Sequence, residues 1–321
     1  MKHFIKDILK LKHILLFISI CIISIAHSQT ADRPNRRLLL RDEGKSQLSL
    51  EDFANPKNNW YVPVPAGRDI QLVGRGRVLI GTGNGYEERD IATGKKVNEV
   101  TKFTGTVSAR RLRNGNTMLV GLNWLDKKGI VLAEVDSIGD IKRQVVYPGF
   151  NYVRLVRETT KGTFLITAND TVFEGNAAGN IIWGAKITST KQPHAWQPLR
   201  LKNGKTLVSS GYAGNFQVFS KAGKLVQTIT GPASVNPVFF SGYQIVANGN
   251  YVVTNWQGHG PNFGNSGTQV LEYTPKGELA WSWKQDPAKY SSVQGVIVLD
   301  GLDINKLHVE NKKGVLAPVK R

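Results

Sequence analysis

A unit of about 42 residues recurs five times along this chain, and each copy carries two glycine turns. The first turn reads VGRG, RNGN, TKGT, KNGK and ANGN, centred on Gly76, Gly115, Gly162, Gly204 and Gly249. The second reads ATGK, SIGD, AAGN, KAGK and PKGE, centred on Gly94, Gly139, Gly179, Gly223 and Gly277. Runs of Val, Ile, Leu, Thr and aromatic residues flank nearly every turn. A hairpin turn needs a residue that tolerates positive φ, and glycine supplies it at little steric cost. Period-two alternation between closely spaced turns reads as strands, and no amphipathic helix is read after residue 58. A four-stranded sheet cannot bury both faces alone. Stacking such sheets radially does so and leaves only short edges, which predicts an all-β fold, a β-propeller of four-stranded blades.

The first copy places strands at 69–73, 77–82, 86–91 and 96–103, and the next copies start near Val107, Val153, Trp196 and Tyr243. A degenerate sixth copy starts near Val293, in VQGVIVLDGLD, with too few residues left for four strands. The strand Trp60–Val64 is then free to complete that sheet and close the ring. This counts to six blades, or seven if residues 29–58 hold further structure. Residues 29–58 read as a polar linker, with at most one helical turn over Gln47–Phe53, and residues 59–321 as the propeller domain.

Residues 1–28 have the pattern of a signal peptide: Lys2, Lys6, Lys10 and Lys12, then the apolar stretch Ile14–Ile25, then Ala26-His27-Ser28 as a cleavage site. The expectation is export to the periplasm or cell surface of a bacterial envelope, with no transmembrane span once the leader is removed. The single cysteine, Cys21, lies in that leader, so the exported chain has no disulfide to rely on. The net charge of +18 points to anionic partners such as acidic glycans or lipid headgroups. Export and the absence of any nucleic-acid motif argue against nucleic acid.

The segments ERDIATGKKVNEV, EGNAAGNIIWGAKI and EYTPKGELAWSW each pair a Gly turn with a following strand, apolar and Trp-bearing in two of the three. In this the chain resembles the quinoprotein-like (PQQ-like) β-propellers over residues 69–320. The resemblance implies repeat and fold, and no particular activity, because many such propellers bind no quinone. The quinone-dependent dehydrogenases of that superfamily have eight blades, vicinal cysteines and calcium-binding carboxylates. Beyond residue 28 this chain has no cysteine, so no cofactor is expected, PQQ included.

In a propeller the connections between blades and the loops between second and third strands open on one face, where ligands usually sit. The spacing from first to second glycine is 18, 24, 17, 19 and 28 residues. The longest copy holds NWQGHGPNFGNSGTQ at 255–269 and the next longest NWLDKKG at 123–129. Insertions in repeat proteins commonly map to the binding face. Asn123, Trp124, Trp196, Asn255, Trp256, Gln257 and His259 are therefore the candidate ligand residues, indoles stacking on a sugar ring and amides bonding its hydroxyls. His194 and His259, with Tyr152 and Arg154, are the candidates for acid–base chemistry. No metal site is expected. The leading expectation is a non-catalytic module that binds a glycan or another anionic envelope component. The alternatives are a carbohydrate-active lyase or hydrolase using the His pair, and a protein–protein scaffold.

Overall fold

The computed structural model describes residues 35–320, so the leader expected at 1–28 lies outside them. Six four-stranded antiparallel sheets form the blades of a propeller. Blade I comprises Ile70–Gly74, Arg77–Thr82, Gly85–Asp90 and Lys96–Val100; blade II comprises Thr106–Arg111, Thr117–Leu122, Ile130–Val135 and Ile141–Tyr147. Blade III comprises Val156–Glu158, Phe164–Ala168, Thr171–Gly175 and Ile181–Lys186; blade IV comprises Pro198–Arg200, Thr206–Ser209, Asn215–Phe219 and Leu225–Thr230. Blade V comprises Phe239–Ile245, Tyr251–Trp256, Val270–Tyr273 and Leu279–Trp283. Among the described residues no helix is long and apolar enough to cross a membrane.

Blade VI closes the ring with strands from both ends of the chain. Val293–Val298 is innermost, followed outward by Arg37–Asp42, Gln47–Asp52 and Trp60–Pro63. The sequence reading placed Trp60–Val64 in this sheet, and it is the outermost strand, paired through Leu50↔Trp60. The reading of residues 29–58 as a linker does not hold for 37–52, which supply two full strands. Leu38, Leu39 and Leu40 are all buried, Leu39 against blade I and Leu38 and Leu40 against blade V. A strand covered on both faces shows an apolar run rather than alternation. Flanking charges disguise the run, and the structure satisfies them: Asp42 accepts the backbone amides of Ser291 and Ser292.

The ten repeat glycines all have positive φ, from +67° at Gly76 to +96° at Gly277. At the second turn there is also a packing reason. A Cβ on Gly223 would lie 2.3 Å from the carbonyl oxygen of Gly184, on the outer strand of the preceding blade. Each seam between neighbouring blades holds its own apolar core, for instance Tyr147, Phe164 and Phe173 between II and III, and Phe216, Phe240 and Tyr273 between IV and V. A glutamate recurs near the end of the third strand and ties seams electrostatically: Glu88 pairs with Arg111, Glu174 with Arg200, and Glu272 with Arg36.

The first strands line the central channel, and the chain beyond blade VI seals one end of it. The hairpin His308–Glu310/Leu316–Pro318 bridges Val73 of blade I through Leu307 and Ile245 of blade V through Val315. Glu310 reaches into the channel, where it accepts from Arg110 at 2.5 Å. Asp69 completes the cluster by accepting from Arg157 at 2.7 and 3.0 Å and from Arg110 at 3.3 Å. The channel cavity is left with about 40 Å³, room for one or two waters.

Burial by itself would raise the carboxyl of Glu310, but Arg110 and Arg157 hold it down from 4.5 to about 2. The unfolded chain therefore takes up this proton first. The contribution of Glu310 to stability is full above pH 4.5 and is lost as pH falls toward 2. Replacing Glu310 by Ala leaves two buried guanidinium groups sharing the single carboxylate of Asp69, and urea denaturation at pH 7 should show a loss of about 3 kcal/mol. Unchanged stability would show that the hairpin does not hold the channel shut.

Candidate functional site

Opposite the sealed end, all six blades contribute to a mouth with a cavity of about 330 Å³. The connections into the blades and the starts of their first strands bring Arg68, Thr106, Arg154, Trp196, Phe239 and Gln294; the ends of second strands and the loops after them bring Gly83, Tyr212, Trp256 and His259. The hairpin turn of blade VI adds Glu43 and Ser46. Of the sequence candidates, Arg154, Trp196, Trp256 and His259 therefore meet at one cavity.

Three arginines set its electrostatics. Arg41 is buried and donates to the carbonyls of Pro65, Gly81 and Asp69 at 2.8, 2.9 and 3.3 Å. Its burial lowers the guanidinium from 12.5 to about 10. Arg154 lies between two rings, 4.4 Å from the centroid of Tyr152 and 4.9 Å from that of Trp196. Arg68 approaches the same indole at 5.9 Å. Burial, and then the charge of Arg68, lower Arg154 to about 9; burial also lowers Arg68, with Glu43 opposing. Among the described residues neither Arg68 nor Arg154 is ion-paired with a carboxylate. Aromatic rings hold both charges in a poorly hydrated place, Arg154 with one further hydrogen bond to a neutral imidazole.

His194 lies beneath the mouth rather than in its lining. Its Nε2 accepts from Arg154 Nε at 2.9 Å, and Tyr152, Trp196, Tyr212 and Phe239 surround its ring. Burial, followed by Arg154 and Arg68, depresses it from 6.5 to about 3. It is a neutral acceptor that orients Arg154. His259 is exposed on the rim, with Nδ1 2.9 Å from Glu43 Oε1 and its ring 4.6 Å from that of Trp256. Trp256 Nε1 donates to the other oxygen of Glu43 at 3.1 Å. The ring contacts from His194 to His259 run through Phe239 and Trp256, so the two imidazoles do not form a pair.

Four other candidates serve the scaffold. Asn123 accepts Gly129 N–H within its own loop, and Trp124 packs edge-on against Phe103 while its Nε1 donates to Thr104. Asn255 is fully buried; its oxygen accepts from Val238 and its nitrogen donates to Asn236 and Thr268. Gln257 donates to the carbonyl of Asn255. The long loop of blade V delivers Trp256 and His259 to the mouth, and the rest folds back on the next connection, where Gln269 clasps Ser291 and Val293. Trp196 and Trp256 are only 3% and 5% exposed. Their faces are occupied by the aromatic cluster and by Arg154, so they line the cavity without offering an open stacking platform. Among the described residues no three His, Cys, Asp or Glu side chains gather as a metal site.

Sequence reasoning missed Arg41, Arg68, Glu43 and Phe239. The first and third fall in the supposed linker; Arg68 sits in a connection and Phe239 opens the first strand of blade V, neither with a compositional mark.

No protein-family model matches the chain, and no curated protein matches it. Solved β-propellers do. A protein of unknown function from Bacteroides caccae superposes with a TM-score of 0.65 at 18% identity, over 82% of this chain and 98% of that one. Virginiamycin B lyase from Staphylococcus aureus gives 0.53 at 12% identity, over 82% and 89%. Regucalcin from Agrobacterium tumefaciens, a calcium-binding protein, gives 0.51 at 13%, over 75% and 85%. At these identities the shared property is the propeller fold.

The neutral state of His194 has a measurable consequence. Between pH 6.5 and about 3 the unfolded chain protonates this ring and the folded one does not, so its burial costs stability progressively as pH falls through that window. NMR of the ring carbons should show no titration of His194 at pH 5. A midpoint near 6.5 would contradict the assigned Arg154–His194 bond.

Proposed function

We propose that this protein is an exported binding propeller that captures a carboxylate-bearing glycan at the open mouth. One observation carries the reading: Arg68 and Arg154 flank Trp196 within the cavity, without a carboxylate of their own. A guanidinium presents a planar fork that matches a carboxylate with two parallel N–H···O bonds. An entering carboxylate would supply the missing counter-charge at groups already held in place, at little further cost in side-chain entropy. The cavity volume suits one sugar unit with its neighbours outside. Ser46 and Gln294 offer polar groups for hydroxyls. A leader of the kind read at residues 1–28 would carry the protein to where such polymers occur.

The reading requires no catalysis. His194 is neutral at neutral pH and its acceptor nitrogen is occupied by Arg154, and Phe239 and Trp256 stand between it and His259. The Glu43–His259 contact braces Trp256 at the rim.

Isothermal titration should detect digalacturonate binding to the purified protein and none for digalactose. Each of R68A and R154A should weaken binding by about tenfold or more, the scale of a lost charge-assisted hydrogen bond. Equal binding of the neutral and acidic sugars, or full binding by R154A, would overturn the proposal.

A further inference from the structure

A second basic site lies on the sealed face. A groove of about 460 Å³ separates the turns of blades III and IV from the C-terminal hairpin. Lys161, Lys202, Lys221 and Lys312 line it, one from each of four different turns. Three carboxylates also line it, and each is already engaged: Glu158 with Arg113 at 3.1 Å, Glu174 with Arg200, and Glu310 with Arg110 at 2.5 Å. Among the described residues the four lysines have no acidic partner. The groove's wall is firm, because Arg200 stacks over Trp183 at 4.5 Å and donates to Thr206 at 2.6 Å.

Four ammonium groups around one groove repel one another, and a ligand with several negative charges close together would remove that repulsion. The residue type indicates the anion. Lysine is a compact charge with three rotatable donors and lacks the planar fork that selects a carboxylate, so lysines on four turns around one groove suit the tetrahedrally spread oxygens of phosphates. The upper mouth uses arginines held by aromatic rings; in this groove Arg157 and Arg200 are already paired with carboxylates, and the charges left over are lysines. We propose that the groove binds a diphosphate, carried either by a soluble metabolite or by a lipid headgroup.

The test uses the purified protein with inorganic pyrophosphate by titration calorimetry, and with phosphatidylcholine vesicles with or without a polyprenyl diphosphate by flotation. Wild type should bind in at least one arm, less tightly as salt rises. K202A/K221A/K312A should lose about tenfold or more in that arm, and K202R/K221R/K312R should keep most of the affinity. All three side chains are exposed, so thermal melting should be unaltered. R68A/R154A should bind pyrophosphate as wild type does, which separates this groove from the mouth. Lysine-dependent binding in solution supports a soluble ligand, and lysine-dependent binding to doped vesicles alone supports a lipid headgroup. No binding in either arm, an unchanged triple-Ala variant, or loss only in R68A/R154A would overturn the proposal.

Discussion

The cluster of Asp69, Arg110, Arg157 and Glu310 decides what kind of propeller this is. Two carboxylates and two guanidinium groups neutralise one another inside the channel and join blades I, II and III to the C-terminal hairpin. Taking four charges out of water is expensive, and their attraction repays it only while every partner is present. Asp69 even holds a left-handed backbone, at φ +78°, a strain that its clasp on Arg157 and Arg110 compensates. The result is a channel closed at one end, so that a ligand approaching along the ring axis meets only the open mouth.

At the mouth the same elements are arranged with the opposite outcome. Arg41 is satisfied by backbone carbonyls, which bring no negative charge. Arg68 and Arg154 have rings and a neutral imidazole as neighbours, and Glu43, the carboxylate that acts on Arg68, is bonded to Trp256 and His259. The acids of the core are spent on internal pairs, as the recurring glutamates are at the seams. The mouth therefore keeps an excess of positive charge in a low-dielectric setting, where an anion is attracted more strongly than at an open surface.

The fold was largely legible in the sequence, because its cause is local. Ten glycines at positive φ mark ten hairpin turns, and turns at a fixed period specify blades. Blade VI was only half legible. Val293 and Trp60 marked its inner and outer strands, but RLLLRD and QLSLED combine a short apolar core with charged ends, and the partners of Asp42 lie 249 and 250 residues away. The site was less legible still. Sorting loops by face placed Trp196, Trp256 and His259 together, since topology fixes the face, and Arg154 entered only as a partner for the His pair. It could not separate Trp256 from Trp124, although both follow an Asn, because Trp124 fills a gap beside Phe103 that only the packed blades create. Nor could it show that burial, and then the arginine beside it, keep His194 neutral.

The most direct test of the central claim is a crystal structure of the protein grown with digalacturonate. The sugar carboxylate should lie against the guanidinium groups of Arg68 and Arg154, beside Trp196, with the channel beneath still closed by Glu310. Density for the sugar on the outer strands or on the hairpin face, with an unoccupied mouth, would contradict it.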